Sequence, residues 1–493
     1  MRTKEQFIEA LGKMKRNVFF NGERIDRTDE VQKNCIDTIS MTYDLAQDPE
    51  HADLMLAQSH LTGETINRFT HIHQCPEDLH KKQDMTRMLC CKVGGCIQRC
   101  MGVDATNAIY NVSYEADKQN DGATQYHENF KKWLMRFQSE DLVAACAQTD
   151  VKGDRLLRPA EQHDPDVYVH VKEKRKDGIV VSGCKLHISQ ASISDEILVI
   201  PTRALRKADK DYAVAFAVPG DWDGMIQVAT MHNLRNREHY KRGLLSQSTD
   251  SYVIFDNCFI PWERVFLCGE YQLGGMLALL FSLFHRHSYS GCKPAIGDMY
   301  LGTAALAAEV NNIHKASHVR EKLAELIMIS ELGYAAGYTA SALAKPEVLI
   351  PGKGFTPFGP GSYIPHSIYS NVGRCLTGES VYREQEILCD IAGGVVATFP
   401  HEKDFANPET RPYLEKYTKR NPHISVDDQA QLWRHLGDIM CSATGGIKSI
   451  GGFHGGGSPV MEQIAITTQY DIEKRKDMVR KLAGMSPGKE EKK

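Results

Sequence analysis

Between residues 150 and 265 this chain carries short strand-like runs, one of them strictly alternating, whereas on either side the apolar residues recur every three or four. That switch of period constrains the fold most, because alternation fits a half-buried strand and a 3.6-residue repeat fits a helix. Asp166-Val-Tyr-Val-His-Val-Lys-Glu alternates apolar and polar residues, and Gly178-Ile-Val-Val-Ser-Gly-Cys-Lys follows across a Lys-Asp-Gly turn. Ile197-Leu-Val-Ile-Pro, Tyr212-Ala-Val-Ala-Phe-Ala-Val and Ser251-Tyr-Val-Ile-Phe read as further strands, which predicts an antiparallel sheet or small barrel. Helices are predicted over 30–45, 78–101 and 126–138. They return from Leu273, with an Ala-, Leu- and Glu-rich stretch over 300–345, a Pro- and Gly-rich interruption over 346–363, and a last helical set ending near Ala483. The expected fold is α+β in three units: an N-terminal helical domain (1–145), a middle antiparallel β domain (146–272) and a C-terminal helical bundle (273–493). The tail Pro487-Gly-Lys-Glu-Glu-Lys-Lys is expected to be solvated.

A formal net charge of −4 offers no basic surface for nucleic acid or for an anionic membrane. No apolar run reaches the roughly 18 residues of a membrane-spanning helix, and the nearest, 273–284, reads as a buried helix. The first residues, Met-Arg-Thr-Lys-Glu-Gln-Phe, begin a polar amphipathic segment rather than a signal peptide. The 14 cysteines lack the spacing of a disulfide scaffold. They are expected to be reduced and mostly buried, which points to a cytoplasmic and, more weakly, an anaerobic setting.

Four of the potential metal ligands stand out. Cys96 and Cys100 lie in Gly-Gly-Cys-Ile-Gln-Arg-Cys, and His285 and Cys292 in His-Arg-His-Ser-Tyr-Ser-Gly-Cys. A spacing of four puts both thiols on one helical face, and a spacing of seven returns to the same face two turns on. Two such helices meeting would offer three thiolates and one imidazole, a set suited to tetrahedral zinc or to an iron–sulfur cluster with one histidine ligand. Alone, either pair is ordinarily no more than buried thiols or a hydrogen-bonded core histidine.

The segment 94–108 resembles the first cluster segment of the 4-hydroxybutyryl-CoA dehydratases, and His285-Arg-His-Ser-Tyr-Ser-Gly-Cys-Lys resembles the second. Thr149-Asp-Val-Lys-Gly-Asp-Arg, Phe255-Asp-Asn-Cys-Phe-Ile-Pro-Trp-Glu-Arg-Val-Phe, Asp390-Ile-Ala-Gly-Gly and His454-Gly-Gly-Gly-Ser-Pro are similar to segments of the wider flavoprotein group. That group also contains the 4-hydroxyphenylacetate 3-hydroxylases. The likeness runs in order along nearly the whole chain. It implies an acyl-CoA-dehydrogenase-like fold, FAD, a [4Fe–4S] cluster held by Cys96, Cys100, His285 and Cys292, an acyl-CoA substrate, and a homotetramer whose neighbouring subunits complete the flavin site.

The resemblance also implies roles. His285 is iron ligand and proton carrier, and Tyr289, four residues on, is a proton donor near the substrate hydroxyl. Lys293 reaches cluster or flavin, and Asp250 stands at the place of an active-site acid. Arg87 and Gln98 lie near the cofactors. Gln148, Thr149, Asp150, Arg155 and Ser189 contact the flavin, and Asp390, Gly393 and Gly394 hold its adenine side. The implied reaction removes water from a 4-hydroxyacyl-CoA, of the 4-hydroxybutyryl-CoA to crotonyl-CoA type, with an accompanying vinylacetyl-type double-bond shift. The C3 hydrogen lost is not acidified by the thioester carbonyl, so a side-chain base alone does not suffice. Four positions depart from the dehydratase pattern: glutamate is expected at Asp250 and Gly451, methionine at Gln148 and threonine at Ser189. These departures leave a different hydroxyacyl substrate open. A flavin-dependent aromatic hydroxylase would leave the ligand set without a task, and a structural zinc protein would leave the flavin-type segments without one.

Overall fold

The computed structural model describes residues 1–232, 234, 237–350 and 353–486; the tail read as solvated lies outside the described residues, as do positions 351 and 352 of the Pro- and Gly-rich interruption. The alternating region forms two sheets. The larger runs, edge to edge, Glu23–Ile25, Val18–Phe20, Met225–Met231, Thr249–Pro261, Gly178–Ser189 and His170–Lys174. The smaller runs Val265–Cys268, Val214–Pro219, Glu196–Val199 and Ala144–Ala147. Met225–Met231 buries alternate residues, as expected of a strand with one face to the core, whereas Ala144–Ala147 and Glu196–Val199 are buried throughout.

Two pairings depart from the antiparallel expectation: Val18–Phe20 runs parallel to Met225–Met231, and Ala144–Ala147 parallel to Glu196–Val199. Val18–Phe20 arises in the N-terminal stretch read as helical, and Ala144–Ala147 straddles the boundary drawn between the first two units. They reach the sheets over long connections, so hairpin geometry does not dictate their direction.

The helices that carry the site explain themselves locally. Pro76–Val93 opens on proline with Glu77 and Asp78 in its first turn, and ends at Gly94, whose φ of 59° is left-handed. The helix expected over 78–101 is therefore two, the second being Cys100–Gln119. Tyr271–Val310 runs for 40 residues with Pro294 in its interior. Proline has no N–H to give the Ser290 carbonyl, and Gln83 Nε2 from Pro76–Val93 supplies the missing donor at 3.2 Å. Beside it, a Cβ on Gly291 would lie 2.4 Å from the Gln83 carbonyl oxygen, so the two helices cross backbone against backbone.

The helices Ser317–Ala342, Ser367–Glu379 and Val381–Ala392 pack along the same long helix. The interruption folds as a hairpin, Glu347–Ile350 with Gly354–Pro357. Among the described residues no helix is long and apolar enough to cross a membrane.

Candidate functional site

Cys96 does not share a helix with Cys100. The helix stops at Gly94, Gln98 takes a φ of 61°, and Cys100 opens the following helix, so Cys96 sits on a loop. Two consecutive glycines favour that break, since each costs a helix about 1 kcal/mol relative to alanine. The loop is pinned from outside. Ser246 donates its N–H to the Val93 carbonyl and its hydroxyl to the Cys96 carbonyl, both at 2.6 Å, and Lys448 Nζ donates to the Gly94 carbonyl at 2.9 Å.

The loop still delivers the thiol. Cys100 and Cys292, with the Gln98 N–H, hold the Cys96 thiol well below its ordinary range. Cys100 is pushed up, first by Cys96, and Cys292 is pushed up, first by Cys90, with burial adding to both. Nothing in the spacing of this fourth thiol, Cys90, had marked it out.

His285 and Cys292 share the long helix, as their spacing predicts. His285 Nδ1 lies 2.9 Å from an oxygen of Asp104, a carboxylate with no solvent exposure. Asp104 also takes Lys82 Nζ at 2.8 Å and the Ser288 hydroxyl at 3.0 Å. Burial alone would raise this carboxyl; Lys82 and His285 outweigh it and keep the group below the usual carboxylate range. An ionised Asp104 accepts the Nδ1 proton, so Nε2 carries the available lone pair. One ligand atom each from Cys100, Asp104 and His285 lies within 4.8 Å of the others. Sequence reasoning missed Asp104, although its place four residues after Cys100 on one helix was the available signal.

Tyr289 stands beside His285 on the helix, ring centroids 5.0 Å apart and nearly perpendicular. Its hydroxyl donates to the Gly451 carbonyl at 3.3 Å, and burial raises its pKa. The Arg374 guanidinium lies 4.7 Å from its ring centroid and binds the Gly455 carbonyl. The His454-Gly-Gly-Gly-Ser-Pro motif thus closes over the site; a Cβ on Gly455 would fall 1.6 Å from the Tyr289 hydroxyl, which demands glycine. Lys293 is buried next to Cys292, and burial pulls its amine down.

The other predicted residues fall into separate groups. Ser189 donates to Asp250 at 2.5 Å across neighbouring strands, and burial raises the Asp250 carboxyl. Asp150 is held by Lys185 at 2.6 Å. The Gln148 carbonyl takes Lys185 and Thr202, and the Gln148 amide reaches the Ala278 carbonyl of the long helix at 3.2 Å. The Thr149 carbonyl accepts from the Leu186 N–H, and Arg155 is exposed. Arg87 is paired with Asp298 and Glu331. Gln98 is buried between the two cysteines. Asp390 pairs with Lys322 at the exposed end of Val381–Ala392, where Gly393 and Gly394 close the helix. A cavity of about 240 Å³ lies under the Glu347–Pro357 hairpin on another face of the long helix, lined by Leu279, Leu283 and Arg286.

The family model described as 4-hydroxyphenylacetate 3-hydroxylase N terminal matches residues 3–267, and its C-terminal counterpart matches 275–484. The 4-hydroxybutyryl-CoA dehydratase/vinylacetyl-CoA-Delta-isomerase of Clostridium aminobutyricum is 38% identical, over 98% of this chain and all of its own length. The solved structure of an oxygen-tolerant archaeal 4-hydroxybutyryl-CoA dehydratase from N. maritimus superposes with a TM-score of 0.92 at 32% identity, covering 100% of this chain and 97% of that one. The oxygenase component of 4-hydroxyphenylacetate 3-monooxygenase, solved with FAD and 4-hydroxyphenylacetate, superposes at 0.85 with 26% identity over 98% of both chains. The chain belongs to the 4-hydroxyphenylacetate 3-hydroxylase family, and within it to the line of 4-hydroxybutyryl-CoA dehydratase/vinylacetyl-CoA-Delta-isomerase.

Proposed function

We propose that this protein is an FAD- and [4Fe–4S]-dependent dehydratase of a 4-hydroxyacyl-CoA, of the 4-hydroxybutyryl-CoA to crotonyl-CoA type, with a vinylacetyl-CoA isomerase activity at the same site. The observation that carries the reading is the close approach of Cys100 to an Asp104-supported His285, with half-buried Cys96 and buried Cys292 near enough to act on one another's thiols. Three thiols and one imidazole with its second nitrogen already engaged fit a cluster in which one iron has a nitrogen ligand. For the flavin, exposed Arg155 and Lys152 offer cationic groups to a dinucleotide's phosphates, and Gln148, Thr149 and Ser189 offer polar ones to its ring. The FAD held by the 4-hydroxyphenylacetate oxygenase supports that assignment.

When bound, a flavin supplies one-electron chemistry at carbon and a cluster supplies a Lewis-acidic iron. The chain's own residues handle protons and position. His285 can present Nε2 to a metal or to a proton, one at a time, while Asp104 and Lys82 keep its ring fixed. Tyr289 stays protonated through burial and is the donor to a departing hydroxyl. Lys293 adds a cation beside Cys292, and Arg374 with the 455–457 glycines shuts water out. Arg87, with its two acids, ties Pro76–Val93 to the long ligand helix and to Ser317–Ala342.

The wider arrangement belongs to the same proposal: an acyl-CoA-dehydrogenase-like chain of three units over 1–145, 146–272 and 273–493, acting in the cytoplasm as a homotetramer. Asp390, Gly393 and Gly394, at an exposed helix end, would meet the adenine side of a neighbouring subunit's FAD. A second reading, the same cofactors with a different hydroxyacyl substrate, draws on Asp250 and Gly451. No atom lies within 4 Å of where a Cβ on Gly451 would sit, so that side of the site is open.

Purification without oxygen should give a yellow-brown protein with FAD and about four iron and four sulfide per chain. It should convert 4-hydroxybutyryl-CoA to crotonyl-CoA. Zinc without flavin would overturn the proposal, and an intact cluster with no crotonyl-CoA would select the second reading.

A further inference from the structure

Lys448 stands far along the chain from the first pair of cysteines, on the helix Ala443–His454, yet it reaches into the loop that carries Cys96. Its amine donates to the Gly94 carbonyl at 2.9 Å and would lie 3.0 Å from a Cβ on Gly95. Burial pulls the amine down to about 8, opposed first by Cys96 and Cys292, then by Asp438 and Cys90. Asp438 is already bound by Arg237 at 2.8 Å and Arg242 at 3.2 Å. Among the described residues no carboxylate forms a salt bridge with Lys448. A half-buried ammonium without a paired carboxylate is poorly compensated, which favours an anion beside it.

We infer that Lys448 is the counter-charge of the thiol centre, a positioning residue that holds the Cys96 loop by its Gly94 contact and stabilises negative charge on whatever Cys96, Cys100 and Cys292 bind. Lys293, buried and next to Cys292 in the chain, is offset by Glu384, the foremost charge acting on it. Lys448 has no such neighbour left unpaired. An ammonium fixed beside a thiolate-held cluster favours its more negative, reduced form and so raises the reduction potential. This rests on the cluster reading above.

The test uses the anaerobically purified holoenzyme and two variants, with iron, sulfide and reduction potential measured by EPR-monitored titration. Lys448→Gln keeps a donor for the Gly94 carbonyl and loses the charge; Lys448→Arg keeps both. The expected result is wild-type iron in both, with a more negative potential in Lys448→Gln alone. An unchanged potential in Lys448→Gln, or an equal shift in Lys448→Arg, overturns the inference. Should Lys448→Gln fail to fold, Lys448→Met serves in its place under the same criterion. A wild-type protein without iron and sulfide would sink the cluster reading instead, and is seen before any variant is compared.

Discussion

Asp104 meets no solvent, yet it gathers an imidazole, an ammonium and a hydroxyl around one carboxylate. Its charge is what makes the arrangement stable, because Lys82 is equally enclosed and, among the described residues, pairs with no other carboxylate. Asp104→Asn keeps the shape but leaves that ammonium unpaired, a change that costs about 3–5 kcal/mol when one member of a buried pair is removed. It also loosens the hold on the His285 tautomer. We expect iron retention on titration with a chelator to weaken about 10–100-fold, the usual effect of losing a metal ligand's supporting partner. Undiminished retention in a folded variant would remove Asp104 from the site. At this scale the sequence was uneven. His285, Cys292 and Tyr289 were legible because one helix carries them and helical spacing is a local rule. Asp104 and Lys448 were not, since each acquires its meaning from a partner far away in the chain, and a lone acid or lysine on a helix has no pattern of its own.

The helices Pro76–Val93 and Tyr271–Val310 cross at Gly291, with Cys90 on one and Cys292 on the other. Gly291→Ala would push a methyl to 2.4 Å from the Gln83 carbonyl oxygen, against rigid backbone. Overpacking of this kind costs about 1–3 kcal/mol, and here it should also lower the iron content. Gly302→Ala on the same helix meets no atom within 4 Å and should be neutral or stabilising by up to about 1 kcal/mol, as helix propensity alone would have it. Paired thermal melts and iron counts check this; equal behaviour of the two variants would mean that the crossing is not tight. The periodicity found most strands and helices, but it ran through Gly94-Gly95 as though the helix continued. It gave no warning that Pro294 would be absorbed, because Gln83, the donor that makes that proline tolerable, lies on another helix.

Across the whole molecule the alternation of helical and sheet-forming stretches was readable, while the strands at 18–25, 56–58 and 65–67 were hidden in a stretch read as helical and the one at 144–147 fell on a boundary. What the single chain leaves uncovered is informative too. Met328 and Leu332 on Ser317–Ala342, one turn apart, are each 56% exposed, with Tyr338 at 54%. A second copy of the chain is the expected cover. Light scattering should find a tetramer for the native protein and smaller species for Leu332→Glu, with FAD lost in step if subunits share its site; a native monomer would sink this expectation. In sequence the proposed ligands flank the strands from Ala144–Ala147 to Val265–Cys268, Cys96 and Cys100 before them and His285 and Cys292 after. A ribosome releases the second pair long after the first, so a chain short of residue 285 owns only half of the proposed ligands. Complete loading of the proposed centre would therefore wait until residue 292 has emerged, and a loaded centre would certify that the segments before and after the intervening strands have found each other.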